Sequence, residues 1–152
     1  MVDRAAVPPW QLRPALIGDY EWAFELHRAA LGEYVEQTWG WDEAVQQQLF
    51  AQSFERRPGQ IIQVQDQDVG MLVVEERSDE LYLRRILLLP EHQNQGLGTS
   101  IVRTLLKRAA DRGRPLSLHV LKANLRAAAL YEREGLRAVS ADEIRVLMRT
   151  QD

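Results

Sequence analysis

No cysteine occurs among the 152 residues, so disulfides, a thiolate metal site and a thioester carried on the protein are excluded. Histidine is scarce as well. His27, His92 and His119 show no ligand spacing, so no metal is expected. No stretch approaches the roughly eighteen apolar residues of a membrane-spanning helix. Residues 1–10 lack the basic start and apolar centre of an export signal, so the expected address is cytoplasmic, with no membrane partner. Basic residues are not in excess, and the net charge of −3 argues against a nucleic-acid partner. Internal repeats, low-complexity segments and linkers are absent. Hydrophobic residues at 45% and charged residues at 27% fit an ordinary folded domain. One domain over residues 1–152 is expected, with 1–9 as a loose Ala- and Pro-rich tail.

What is present is one organising stretch, residues 81–112, where an apolar strand meets Pro90, then a Gly-containing loop, then an amphipathic helix. The loop reads Gln93-Asn94-Gln95-Gly96-Leu97-Gly98-Thr99. Its glycines let backbone approach a ligand without a Cβ in the way. Ile101, Val102, Leu105, Leu106 and Ala109 recur at helical spacing, which puts Gly98 and Thr99 in the first helical turn. The unpaired N–H groups of that turn, with the helix dipole, suit a phosphate or pyrophosphate. Two other cradles fail: a dinucleotide fingerprint needs a third glycine where Ile101 stands, and no Gly-Lys-Ser/Thr occurs.

Gln-x-x-Gly-x-Gly after a strand and a proline resembles the acyl-CoA signature of the GCN5-related N-acetyltransferase (GNAT) family. Downstream, Asn124-Leu125-Arg126-Ala127-Ala128-Ala129-Leu130-Tyr131, closing on Gly135-Leu136, is similar to that family's second signature, Asn-x-x-Ala-x-x-Leu-Tyr ending in Gly and usually Phe. The resemblance covers roughly residues 81–139. It implies a mixed α/β fold with a mostly antiparallel sheet, a splayed parallel strand pair and helices on both faces. It also implies acetyl-CoA as co-substrate, no metal, and acetyl transfer to a primary amine of a small molecule or peptide. Without cysteine, transfer is expected to be direct from CoA to acceptor, although a serine ester is not formally excluded. A second reading keeps the cradle and loses the chemistry, as a CoA-binding sensor or interaction module. A third moves the acyl group to a hydroxyl. A homodimer is left open.

Along the chain, residues 10–16 read as a first strand. Asp19 reads as the cap of a helix that runs to about Leu31 and stops at Gly32, with His27 as a structural histidine on its apolar face. A second helix begins near Asp42, with Val45, Leu49 and Phe50 or Phe54 on its buried side. Residues 60–65 and 69–76 form a hairpin in which Gly70 marks a bulge or close approach. Residues 81–89 form a buried strand, and 115–121 a strand parallel to it because a helix crosses over between them. Residues 123–134 are a helix stopped by Gly135, and 143–149 a last strand.

By the resemblance, a pantetheine arm pairs with backbone at Ile86, Leu87 and Leu88, and the pyrophosphate sits on the amides from Asn94 through Gln95, Gly96, Leu97 and Gly98 to Thr99. Where the family has Arg or Gln at the motif's first position this chain has Gln93, without a phosphate-facing cation, and affinity is expected to rest on backbone donors more than on charge. Asn124 bonds the pantetheine or adenylate arm, or caps a helix. Arg126 reaches the phosphates, or lies on a solvated face. Tyr131 protonates the departing thiolate, or packs in the core.

The base is open, because the strand position that carries Glu in many relatives falls in Tyr82-Leu83-Arg84-Arg85. Deprotonation through water to His119, Glu36, Asp42 or Glu43 is expected, His119 having the fitting pKa. Strand alternation puts Arg84 and Arg85 on opposite faces. If one lines the acceptor cleft it favours an acceptor with a carboxylate; surface salt bridges are the alternative. Tyr34, Glu36, Trp39 and Trp41 are candidate walls of an acceptor pocket, or the tryptophans fill the gap between helices and sheet.

Overall fold

The computed structural model describes residues 7–151. β1 (Trp10–Pro14) is an edge strand, where Pro14 tolerates its missing N–H. A 3-10 turn (Ile17–Asp19) leads into α1 (Tyr20–Trp39) and α2 (Glu43–Arg56). β2 (Gln60–Val64), β3 (Gln67–Glu76) and β4 (Leu81–Leu88) follow as an antiparallel meander. α3 (Leu97–Asp111) then crosses over to β5 (Leu116–Leu121), which lies parallel to β4. α4 (Leu125–Arg133) leads to β6 (Leu136–Ala141) and β7 (Arg145–Thr150), and β7 inserts between β5 and β6. The sheet order is β1-β2-β3-β4-β5-β7-β6, a mixed α/β architecture with one parallel pair. No helix among the described residues is long and apolar enough to cross a membrane.

The parallel pair is short. β4 and β5 pair only at Leu81–Leu116, Tyr82–Ser117 and Leu83–Leu118. Beyond that point β4 stays with β3 as far as Gly70–Leu88, and β5 stays with β7 as far as Leu121–Arg145, so the two strands part. A bulge lies where they separate. Arg85 opposes Val73 and Leu83 opposes Val74, which leaves Arg84 as the extra residue.

Strand alternation divides the apolar residues between two cores. Leu81, Leu83, Ile86, Leu116, Leu118 and Val120 pack with Ile101, Val102 and Leu105 of α3 and Tyr131 of α4. Leu87, Ile61, Met71 and Val73 face the other way, against Phe24 of α1 and Phe50 and Phe54 of α2. The indole N–H of Trp10 on β1 donates to Ser100 Oγ in the first turns of α3 at 2.9 Å.

Several expectations are corrected. α1 does not stop at Gly32 but runs to Trp39 and ends at Gly40, whose φ of +80° suits a residue without Cβ. Gly32 lies inside the helix, where a Cβ would make only ordinary contact with the Trp41 ring, 3.8 Å away. Val45 and Leu49 are exposed, because α2 turns only Phe50 and Phe54 inward. β6 had no counterpart in the sequence reading, and only its first residue is buried, so it carries no alternating signal. Gly70 combines both readings, since a Cβ there would run into the Leu87 carbonyl oxygen and a register shift falls beside it.

The Asp19 side chain makes no cap bond to α1; it accepts from Leu16 N–H at 2.8 Å and from both terminal nitrogens of Arg13 at 2.9 Å. Arg13 also donates to the two oxygens of Asp68, at 2.8 and 3.3 Å, tying β1 to the turn and to β3. These bonds hold both carboxyls below their ordinary range. A carboxyl whose folded pKa is depressed stabilises the fold above its unfolded pKa, and that contribution is lost as pH falls through the folded value. Arg13→Met is therefore expected to cost roughly 1–2 kcal/mol near pH 7, allowing for partial exposure. Urea unfolding of both proteins from pH 7 down to about pH 2 checks this, the difference between them shrinking once both carboxyls protonate.

Candidate functional site

The parting of β4 and β5 opens a groove of about 500 Å³. Ile86, Leu87 and Leu88 line it from β4, Tyr34 from α1, and Leu130 and Tyr131 from α4. Beyond Leu83, β4 has lost β5 as a backbone partner, so its free edge faces this opening. The loop after β4 closes one end, with Gln93, Asn94, Gly96, Gly98 and Thr99 in the lining.

That loop is built to present N–H groups. Asn94 at φ +63° and Gly96 at φ +82° turn the chain, and Gly96 takes the N-cap position of α3. From Asn94 to Thr99 no backbone N–H has an acceptor among the described residues; the first to find one is Ser100, on Gly96 O at 2.9 Å. A row of unpaired amides at a helix start attracts an anion. Gln93 donates from its amide to Leu88 O at 3.0 Å and accepts from Arg126 at 3.0 Å, which holds a cation at the rim. Gln95 turns aside to Glu91 O, and the Leu97 side chain is buried in the core.

Asn124 caps α4, its Oδ1 accepting from Ala127 N–H at 3.1 Å. Its amide nitrogen has no acceptor among the described residues, and the residue lines the groove, so capping and ligand donation coexist. Tyr131 is 7% exposed and lines the same groove, and burial pushes its phenol up to about 12. It stays protonated across the physiological range.

On the face opposite Tyr131, Tyr82 Oη lies 2.6 Å from His119 Nδ1. Partial burial, then Arg145, lowers the His119 pKa below its ordinary 6.5, so the ring is neutral at pH 7. Tyr82 escaped the sequence reading. Period-2 alternation puts residues 117 and 119 on one face of β5, but only the parallel register seen in the structure brings Tyr82 to that face.

The bulge overturns the expectation that Arg84 and Arg85 face opposite ways. Arg84 pairs with Glu75 and lies over the Tyr82 ring, while Arg85 lies 4.9 Å from the ring centre of Phe50, so both reach the α1/α2 face.

The other candidates lie apart from the groove. Glu36 accepts from Trp41 N–H at 2.6 Å, and Asp42 caps α2 through Val45 N–H. Glu43 takes both ends of Arg28 at 2.6 Å and the Trp41 indole N–H at 2.9 Å, bonds that hold its carboxyl down to about 2. Trp41 packs against Phe24 and His27 at the α1–α2 junction, and Trp39 is 57% exposed. Buried His27 bonds Gln46 at 3.0 Å within this aromatic cluster, as a structural histidine would. No group of His, Asp or Glu among the described residues is arranged to hold a metal.

Comparison with known proteins agrees with this geometry. Solved structures of similar fold include PaiA N-acetyltransferase from Thermoplasma acidophilum in complex with coenzyme A, with a TM-score of 0.75 and 14% identity over 95% of this chain and 99% of that one. The ribosomal-protein-S18-alanine N-acetyltransferase of Escherichia coli has a TM-score of 0.67 and 21% identity, over 93% of each chain. A GNAT family acetyltransferase from Elizabethkingia anophelis with acetyl-CoA bound has a TM-score of 0.64 and 12% identity, over 94% of this chain and 98% of that one. No curated protein sequence matches the chain. The model of the Acetyltransferase (GNAT) family matches residues 20–136, from the start of α1 through both the cradle and α4, and the chain therefore belongs to that family of acetyltransferases.

Proposed function

We propose that the protein transfers an acetyl group from acetyl-CoA directly to a primary amine of a small molecule or peptide. The observation that carries this reading is the row of unpaired amides from Asn94 to Thr99 at the end of a groove floored by the free edge of β4. The amides receive the pyrophosphate, with Arg126 at the rim, and the arm runs along Ile86, Leu87 and Leu88 toward the bulge. Asn124 donates to it from α4.

The thioester then lies between the two faces of the sheet. Nitrogen attacks the acetyl carbon, the C–N bond forms, and the C–S bond breaks. The amine's surplus proton passes to neutral His119 through water. For that the ring takes the tautomer in which Nδ1–H donates to Tyr82, leaving the Nε2 lone pair free. Tyr131 gives its proton to the departing thiolate and recovers one from solvent.

Coenzyme A is expected to raise Tm, because a ligand that binds only the folded state stabilises it. A side chain at position 98 projects between Leu88 and Leu130 in the groove without a backbone clash, so Gly98→Glu is expected to fold and lose the shift. An undiminished shift in that variant removes the cradle assignment.

Tyr131→Phe is expected to lower kcat by roughly tenfold to a thousandfold with CoA affinity little changed, because the hydroxyl acts mainly in the transition state. Its phenol being pushed up to about 12, Tyr131 contributes no alkaline loss of activity near pH 10. On the acid side, activity is expected to fall as His119 takes a proton, with a midpoint below 6.5, and His119→Gln removes that limb. Steady-state rates between about pH 5 and 10 test both limbs.

A further inference from the structure

Most arginines around the bulge are paired with carboxylates; Arg85, and Arg145 of β7 near Tyr82 and His119, are not. Arg84 is bound to Glu75, Arg77 to Glu75 and Glu80, Arg28 to Glu43, and Arg57 lies 3.6 Å from Glu75. Arg85 has no carboxylate and no hydrogen-bond acceptor among the described residues, although it is mostly buried. Its nitrogens are not among the buried atoms that solvent cannot reach, so they face an accessible space. The guanidinium lies over Phe50, directly after the bulge and on the same face as Tyr82 and His119. Burial and the neighbouring Arg84 hold it down to about 10, so the site disfavours the charge that it contains. A planar fork of donors, stacked on a ring, is shaped to take a carboxylate through paired hydrogen bonds.

We infer that Arg85 binds a carboxylate of the acceptor, which makes the substrates small amines that also carry a carboxylate. This rests on the amine acetylation proposed above. The anion neutralises a cation that faces nothing else, and it orients the amine toward the opening between β4 and β5, where His119 stands on the same face. An acceptor that brings only an ammonium group meets Arg84 and Arg85 with like charge. Glu75 does not compensate, because Arg84, Arg77 and Arg57 already surround it.

The experiment offers acetyl-CoA with the common amino acids, β-alanine and γ-aminobutyrate, each beside its primary amide, its decarboxylated amine and its aminophosphonate analogue, and reads free thiol. The best carboxylate acceptor is expected to exceed its amide and its decarboxylated amine by about tenfold or more in kcat/KM. Arg85→Gln is expected to erase that preference and leave the KM for acetyl-CoA unchanged, and Arg85→Lys to keep part of it as a point charge without the fork. The wild-type ratio stands without either variant, so a variant that fails to fold leaves the inference tested. Amides or simple amines used as well as carboxylates overturn it, as does an Arg85→Gln enzyme that loses both classes by the same factor. A preference for phosphonates over carboxylates also overturns it. Transfer to amines irrespective of their anion leaves acetylation standing and removes only the role of Arg85. No transfer to any amine of this panel overturns the inference; with a peptide amine added as a further acceptor, no transfer there either overturns acetylation.

Discussion

The contact on which the rest depends is the short ladder between β4 and β5, which ends after Leu83 and Leu118. A full ladder would have sealed the sheet. Its early end leaves backbone groups without partners, and a buried unpaired group costs about 1–3 kcal/mol. The opening must therefore stay wet or hold a ligand that brings its own donors and acceptors. What keeps the halves of the sheet together despite the gap is the core beneath it, where residues of β4 and β5 pack on the same face of α3 and on Tyr131. The bulge at Arg84 fixes where the parting begins.

From that opening follows a separation of chemical tasks. Neutral backbone donors at the start of α3 supply the anion site, so no dense cluster of cations is needed there; Arg126, tethered by Gln93, supplements them. Tyr131 belongs to one face, and Tyr82, His119 and Arg85 to the other. Burial moves the two titrating groups in opposite directions in pKa but to the same end, raising the phenol and lowering the imidazole so that both stay uncharged. Each is thereby held in the state that its proposed task requires.

The parts that were legible in the sequence are those written in adjacent residues. The cradle needs its glycines within one turn of helix, and the run from Asn124 to Tyr131 lies on a single helix, so local pattern reveals both. What escaped depends on contacts between distant residues. Gly32 looks like a helix stop but lies inside α1, which the packing of Phe24, Leu26, His27 and Val35 carries on to Trp39; nothing local tells the two apart. The bulge at Arg84 carries no glycine or proline to announce it, yet it undoes strict alternation and sends two arginines to one face. Tyr82 and His119 meet only through a parallel register that a sequence pattern does not specify. The acidic candidates Glu36, Asp42 and Glu43 were plausible by composition, but the α1–α2 junction employs all of them.

The bond from the Trp10 indole to Ser100 reaches from the border strand of the sheet to the helix that begins at the cradle. β1 offers one unpaired edge to solvent, and such an edge is where other chains add themselves. Because the strand is stapled to the first turns of α3, fraying of that border and loosening of the amide row are a single local opening event, not two.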